Sequence, residues 1–289
     1  MCPDFFILHV EGNLLMRPYI FLFIAISSIG LFSCQKEVDN VTNGGNGGTN
    51  DALLKKIVSK SGSDSSTLEF GFNLSGNLMT LNTTDVTSGS TSVTRERVER
   101  NSQGIIQKLI IKDDAYQQAG LDSVVTTIEY NAGKYISKVT LIDLGVVLFR
   151  DSVALLYDGG GKVVTERIYD DLGTGSYEEN GKIDYTYAGN NIATIKQYSF
   201  DGSTYSLVVT YTYDEYDDKI SPMNIGFESF VFDSPAMYSS NNPTKSSIAD
   251  SGSSQSFATT YTYNSSNKPL TATSTIQPGG STATATYYY

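Results

Sequence analysis

The stretch "DYTYAGNNIATIKQY", residues 184–198, contains the pattern that decides the fold. Tyrosine and threonine alternate in its first part, which places both tyrosines on one face of a β-strand and the threonine on the other. Gly189 to Asn191 follow at once, and such residues readily take the backbone conformations that hairpin turns need. A second alternating run then begins. The stretch therefore predicts a β-hairpin, two antiparallel strands joined by a tight turn.

Close variants of this hairpin recur at a spacing of about 28 residues. We call the residue that ends the first strand of each unit its slot residue. The slot residues are Phe72, Arg100, Tyr130, Tyr157, Tyr187, Tyr213, Tyr263 and Tyr289. A lone hairpin is marginally stable in water, whereas hairpins placed side by side bury a shared face. We interpret the recurring tyrosines as a cross-strand aromatic ladder on that face.

The repeat predicts an all-β fold, a long antiparallel meander of repeated β-hairpins that is rolled or barrel-like, with one short helical or irregular insert. The insert is expected at residues 221–246, which interrupt the rhythm with Pro222, Pro235 and Pro243. Large apolar side chains lie between these prolines, and such segments often form a short helix or a plug. We expect this insert to cover one open end of the sheet.

The N-terminal region predicts where in the cell the protein is located. Residues 16–33 combine Arg17 with an uncharged apolar run that suits a signal peptide and is short for a membrane span of about 20 residues. The run ends in "LFSC", which resembles a bacterial lipobox. The resemblance implies cleavage between Ser33 and Cys34 and lipidation of Cys34. The alternative is an ordinary transmembrane anchor with a chance cysteine.

The same reading divides the chain into segments. Residues 1–15 place acidic residues ahead of the apolar run, so we interpret them as an upstream extension and expect translation to start at Met16. Residues 34–50 comprise the lipidated cysteine and a flexible Gly/Asn tether. Two acyl chains together anchor a protein stably, which makes the membrane a predicted partner. Residues 51–289 are expected to form a single β-repeat domain.

Composition excludes several kinds of function. The net charge is −11, and an acidic chain repels phosphate backbones, so we expect no nucleic-acid partner. His9 is the only histidine, and it precedes the predicted cleavage, as does Cys2. A mature chain without histidine and with a single lipidated cysteine has no Ser-His-Asp triad and no His/Cys zinc site. We predict no cofactor and no enzyme activity, although a Ser-Lys pair, a tyrosine nucleophile, carboxylate chemistry or calcium binding stays possible.

Two clusters of acidic residues were weighed as sites. Asp214, Asp217 and Asp218 could offer oxygen ligands to calcium, but the glycine and the ligand spacing of an EF-hand are missing. A solvated acidic turn is the favoured interpretation, and these three are a weak metal candidate. The second cluster could supply the acid and the nucleophile of a glycosidase. Its members are Asp170, Asp171, Glu178 and Glu179.

The tyrosine face is the best candidate for ligand binding. Its members are Tyr185, Tyr187, Tyr211, Tyr213, Tyr261 and Tyr263. If exposed, they could stack sugar rings or bind an envelope protein, and if buried they form the core. We expect a non-catalytic binding or structural surface module. A carboxylate-dependent polysaccharide hydrolase and a periplasmic scaffold for an outer-membrane complex are the alternatives.

Several features together resemble a known group. The lipobox, the glycine-rich tether, the Tyr-x-Tyr hairpins and "SSNNPTK" at 239–245 are similar to Bacteroidota lipoproteins of unknown function with a porin-like fold. The hairpins also resemble the tyrosine-aspartate repeats of Rhs-type proteins. The resemblance implies a barrel-like antiparallel sheet and no particular activity. It implies an outer-membrane lipoprotein, and Lys36 and Glu37 resemble a surface-export signal. Because many alternate strand positions are polar, we expect a tethered domain outside the bilayer.

Overall fold

A computed structural model describes residues 53–118, 120–143, 148–171 and 175–289. Within these residues, sixteen β-strands close into a barrel. Each strand pairs antiparallel with the next one along the chain, and β1 pairs with β16 to close the circle. The predicted all-β meander with one short insert is therefore confirmed. The predicted extension, the signal peptide, Ser33, Cys34 and the tether lie outside the described residues.

The strands are β1 (Lys56–Ser61), β2 (Asp64–Phe72), β3 (Leu78–Thr87), β4 (Ser90–Arg100), β5 (Ile106–Asp113), β6 (Val124–Asn131), β7 (Lys134–Asp143), β8 (Leu148–Tyr157), β9 (Val163–Asp171), β10 (Glu178–Ala188), β11 (Asn191–Phe200), β12 (Tyr205–Ile220), β13 (Asn241–Asp250), β14 (Ser254–Tyr263), β15 (Pro269–Gln277) and β16 (Ser281–Tyr288). The helices are α1 (Asp114–Gln118), α2 (Glu228–Val231) and a 3-10 turn (Pro235–Tyr238). Across the described ranges, no helix has the length and apolar character needed to cross a membrane.

The inward face of the barrel is its hydrophobic core. Ile57 of β1 lies opposite Leu68 of β2 and Tyr287 of β16, and all three side chains are buried. Directly opposite residues in a sheet point to the same face, so this row marks the inside. Continuing from partner to partner, the inward face collects further buried side chains on most strands. They include Phe70, Leu81, Val98, Leu109, Ile128, Val153, Tyr185, Ile195 and Ala272.

A β-bulge accompanies most slot residues. The register shifts immediately before Phe72, Arg100, Tyr130, Tyr157, Tyr187 and Tyr263. At each shift the returning strand carries one extra residue, which interrupts its alternation. In β11, for example, Ile192 and Ile195 are both buried although they are three residues apart. The bulge thus turns two near neighbours of one strand to the same side.

Four turns beside the slots share one hydrogen-bond pattern. The Oδ1 atom at the start of each turn accepts the backbone N–H groups two and four residues further on. These first residues are Asn73, Asn101, Asp158 and Asn264. Asparagine and aspartate favour such turns because their side chains reach their own backbone. The residue three positions later has a positive φ in each case: Gly76, Gly104, Gly161 and Asn267.

Slot tyrosines also connect consecutive hairpins. The hydroxyl donates to a carbonyl near the start of the preceding returning strand: Tyr157 to Tyr135 at 2.7 Å, Tyr187 to Val163 at 2.5 Å, and Tyr289 to Pro269 at 2.9 Å. A lysine of the preceding turn lies over each ring: Lys134 at 4.5 Å, Lys162 at 4.9 Å and Lys268 at 4.8 Å from the centroid. We call this contact the tyrosine latch. Arg100 reaches the equivalent carbonyl, that of Leu78, from its own slot.

The insert between β12 and β13 fills one end of the barrel. It spans residues 221–240, contains α2 and the 3-10 turn, and buries Phe230, Val231 and Phe232 completely or nearly so. We call residues 221–240 the plug. The end of the barrel that they fill is the plug end, and the opposite end is the mouth. The insert is shorter than expected, because residues 241–246 belong to β13. Pro243 lies there at an irregularity in the pairing with β12.

Candidate functional site

Arg100 fixes one part of the plug to the barrel wall. Its guanidinium contacts the carboxylate of Glu228, the first residue of α2, at 2.5 Å (Nη1–Oε1) and 2.8 Å (Nη2–Oε2). The same group donates to the carbonyl oxygens of Leu78 and Gly104. Only 5% of the Arg100 side chain is exposed, compared with 22% for Glu228. A two-point contact of this kind fixes orientation as well as distance, so α2 is held in one pose.

Lys138 fixes the plug on the far side of α2. Its Nζ atom donates to the carbonyl oxygen of Phe230 at 2.6 Å and to the carboxylate of Asp233, and lies 3.6 Å from Oε2 of Glu166. The Tyr185 hydroxyl donates to Oε1 of Glu166 at 2.8 Å. Burial and the Glu166 carboxylate raise the pKa of Tyr185, which keeps the phenol protonated as a donor. This buried network joins the plug to β7, β9 and β10.

Glu96 is a carboxyl group near the plug whose pKa is strongly raised. It lies on β4 opposite Leu81 and Ile111, and so faces inward. Burial and, to a smaller extent, the negative charge of Asp233 raise its pKa to about 8. At neutral pH the group is therefore mostly the neutral acid. The proton removes the negative charge of Glu96 and so limits its repulsion with the Asp233 carboxylate, which Lys138 binds.

The six candidate stacking tyrosines all lie on the inward face, where Tyr185 is buried and the other five are half-buried. The group comprises Tyr185, Tyr187, Tyr211, Tyr213, Tyr261 and Tyr263. Tyr185 is 4% exposed and meets Phe230 edge-on at 5.3 Å, while Tyr187 meets Tyr238 at 5.5 Å. Tyr261 and Tyr263 contact each other at 6.0 Å. The structure gives these rings a packing role, because the register turns the Tyr-x-Tyr face towards the plug. Stacking of a ligand on them stays a prediction that requires the interior to open.

The weak metal candidates lie along β12. Asp217 accepts hydrogen bonds from the Tyr263 hydroxyl and from the backbone and side-chain nitrogens of Asn242, at 3.0 and 2.9 Å for the latter two. Asp214 and Asp218 are exposed. In the part of the chain that the structure describes, no three His, Cys, Asp or Glu side chains are placed to hold a metal ion. Asp217 thus acts as a structural acceptor between β12, β13 and β14.

The second acidic cluster is gathered near the mouth. Its members are Asp170, Asp171, Glu178 and Glu179. Asp170 and Glu178 lie opposite each other on β9 and β10. Glu179 contacts Arg167 at 3.3 Å, and Asp171 is buried with Oδ1 accepting the Gly175 N–H at 2.9 Å. The structure does not test the roles of these carboxyl groups as acid and nucleophile, so both roles stay a prediction.

The mouth half of the interior is acidic. Asp85 lies opposite buried Ser66 on β2, and Asp151 lies opposite Asp170 on β9. Asp113 lies opposite Thr94, whose hydroxyl donates to its Oδ2 at 2.5 Å. Inward positions therefore change along the barrel, from aromatic and aliphatic at the plug end to acidic and hydroxyl-bearing at the mouth.

The outward face carries mostly polar side chains. Arg95 and Arg97 flank Glu96 in sequence and are exposed, because alternate residues of β4 point outward. Exposed apolar exceptions include Leu141 on β7, Leu156 on β8, Leu207 and Val208 on β12, and Leu270 on β15. Exposed threonines cover the outside of β14, β15 and β16: Thr260, Thr262, Thr271, Thr273, Thr282 and Thr284. The polar outward face differs from that of a transmembrane barrel, which turns an apolar band outward.

Sequence reasoning missed the residues that hold the plug. Arg100 stood out only as the one cation among the slot residues. Glu228 and Asp233 are acidic positions within the otherwise apolar insert, which was a readable signal for buried charge partners. Lys138 had no signal, because the bulge at Tyr130 changes which residues of β7 face inward.

A comparison with solved structures bears on the fold. No family model matches the sequence, and no curated protein matches it. A porin-like protein from Bacteroides uniformis is similar in structure, with 17% identity, a TM-score of 0.51 and coverage of 81% of this chain and 96% of that one. A porin-like protein from Bacteroides vulgatus has 12% identity, a TM-score of 0.47 and coverage of 82% and 98%. The first likeness shows the shared barrel fold.

Proposed function

We propose that this chain is a lipid-anchored, non-catalytic outer-membrane protein whose plugged barrel lies outside the bilayer and acts as a binding or structural module. The observation that carries the proposal is the polarity of the barrel wall. Its apolar face is turned inward around a plug held by Arg100 and Lys138, and its outer face is polar. A polar outer face is compatible with water rather than with lipid. We therefore assign membrane attachment to the lipid anchor.

The predicted tether supports a definite orientation. The chain enters the barrel at Lys56, beside Tyr288 and at the plug end. The 21 residues between Cys34 and Lys56 would span roughly 25 Å as a flexible chain. The plug end then lies on the membrane side, and the mouth is directed away from it. The porin-like neighbour from Bacteroides uniformis supports an outer-membrane setting for this fold.

The anchor is tested by comparing the natural protein with Cys34→Ala in cells fed an alkyne analogue of palmitate. The natural protein should incorporate the label and sediment with outer membranes. The variant should lose the label and leave the membrane fraction. An unlabelled natural protein, or a variant that still sediments as an integral membrane protein, would contradict the proposal.

Surface exposure and pore formation need separate measurements. Protease added to intact cells should remove the domain if it faces outward, and cleavage only after lysis would instead place it in the periplasm. Added to a planar lipid bilayer, the purified protein should give no ion conductance because the plug end is packed. Stable single-channel currents would show that the barrel works as a pore.

A further inference from the structure

A pocket opens at the mouth between the start of β4 and helix α1. It is a shallow pocket, widely open to solvent, with a volume of about 580 Å³, and it is lined by Thr91, Ser92, Asp114, Gln117 and Gln118. Pockets of roughly 300–1,000 Å³ are the size that takes small molecules. This end of the barrel is accessible to a ligand, because the plug fills the opposite end. Inward side chains near the mouth are hydroxyl-bearing and acidic.

The lining has the chemistry of a hydrogen-bonding site. Two primary amides, two hydroxyls and one carboxylate line it, and an amide or a hydroxyl can both donate and accept. None of the five lining residues has an aromatic or purely aliphatic side chain, so each can offer a polar atom to a ligand. A ligand with several closely spaced hydroxyl groups would satisfy the amides and the carboxylate together.

The charge around the pocket limits the ligand further. None of the lining residues is basic, and Asp114 belongs to the lining. Asp85 of β3 lies opposite Ser92 of β4, and Asp113 precedes Asp114 in the chain. Three carboxyl groups in this region disfavour phosphates, sulfates and uronic acids by repulsion. Neutral ligands escape this penalty.

The lining is held in place by contacts within the protein. Oδ2 of Asp114 accepts the backbone N–H of Val93 at 2.9 Å, which joins α1 to the strand that carries Thr91 and Ser92. Tyr116 is buried and anchors α1 in the core. One Asp114 oxygen is thus committed to structure, which weakens the site as a cation trap. The exposed Gln117 and Gln118 remain presented to solvent.

We infer that this mouth pocket binds a neutral polyhydroxylated molecule, such as one uncharged sugar unit of a glycan. The inference deepens the proposed binding role and relies on it only for the direction in which the mouth points. The bound unit would take hydrogen bonds from the amides of Gln117 and Gln118 and donate to Asp114. The hydroxyls of Thr91 and Ser92 would contact its opposite edge.

The test is a nuclear magnetic resonance titration of the ¹⁵N-labelled lipoprotein in detergent micelles. Three probes share one ring size: methyl glucoside is neutral, glucuronate is anionic and glucosamine is cationic. Methyl glucoside should shift the side-chain amide signals of Gln117 and Gln118 saturably. The Val93 backbone signal should report binding at least tenfold weaker in the double variant Gln117→Ala/Gln118→Ala.

Gln103→Ala is the matched control, because Gln103 is an exposed amide on a plug-end turn and should leave binding unchanged. Thermal unfolding of each variant checks that the barrel is intact. Absence of saturable shifts with methyl glucoside would overturn the inference, as would equal binding in the double variant. Tighter binding of glucosamine or glucuronate than of methyl glucoside would overturn the assignment of a neutral ligand. The titration is independent of where the protein resides, so loss of lipidation in cells would refute the proposed function alone.

Discussion

The two ends of this barrel use the same hairpins for different purposes. At the plug end, four turns share one asparagine or aspartate pattern, and three tyrosine latches connect successive units. At the mouth, the turns that begin at Asp201 and Asp250 share a second aspartate pattern, the other connections include α1, and the inward positions carry aspartates. The longer repeated pattern accompanies the end that must pack a core around the plug. The mouth faces an open space, where packing imposes fewer constraints on the connections.

The largest difference between the ends should appear when a buried ion pair is broken. Glu228→Ala leaves the guanidinium of Arg100 buried without its carboxylate, which should lower the free energy of unfolding by about 3–5 kcal/mol. At the mouth, Lys112→Ala removes an exposed pair with Asp122 and should cost less than about 1 kcal/mol. Denaturant unfolding of both variants measures the contrast. Equal losses would mean that the plug does not stabilise its end of the barrel.

The next effect concerns the protonated carboxyl group of Glu96. Its folded-state pKa of about 8 lies above its ordinary value of 4.5. Below pH 4.5 both states carry the proton, whereas between pH 4.5 and 8 only the unfolded state releases it. Stability is therefore lost as pH rises through this window. Glu96→Gln should remove that loss and stabilise the protein by up to about 3 kcal/mol near pH 7.

Unfolding free energies of the natural protein and Glu96→Gln, measured side by side from pH 4 to pH 9, test this expectation. The two curves should meet at the acidic end and separate steadily up to about pH 8. Glu129→Gln on the exposed face of β6 serves as the control and should run parallel to the natural protein. A constant offset between the natural protein and Glu96→Gln would show that Glu96 titrates normally.

A smaller effect is expected for the tyrosine latch. Tyr157→Phe keeps the ring against Phe227 and beneath Lys134 but removes the hydroxyl that donates to the Tyr135 carbonyl. The loss should be about 1 kcal/mol, the usual net worth of such a hydrogen bond. Tyr130→Phe, at a more exposed slot, should change the unfolding midpoint hardly at all. Equal effects would assign the recurring tyrosines to ring packing alone.

Much of this architecture could be predicted from local sequence. The Tyr-x-Tyr alternation and its turns specify hairpins, and the proline-rich apolar segment specifies an interruption. The closing pair of β1 and β16 could not be predicted, because Lys56–Ser61 lies outside the repeat and its partner is at the far end of the chain.

The candidate site was harder to predict for a related reason. Alternation divides a strand into two faces, but only long-range pairing decides which face is inside. "RER" at 95–97 therefore did not reveal that Glu96 alone is turned inward. Bulges add a second difficulty, since they place Tyr135 and Lys138 on the same side of β7. The mouth pocket combines two segments that no motif links.

The most direct test of the account is cysteine accessibility in native membranes without detergent. Thr273→Cys lies on the outer face of β15, and Thr259→Cys lies on the inner face of β14, where the natural residue is 6% exposed. A water-soluble maleimide should label Thr273→Cys rapidly and Thr259→Cys only after denaturation. The reverse result, a protected outer position and a reactive inner one, would mean that the wall faces lipid around a water-filled lumen.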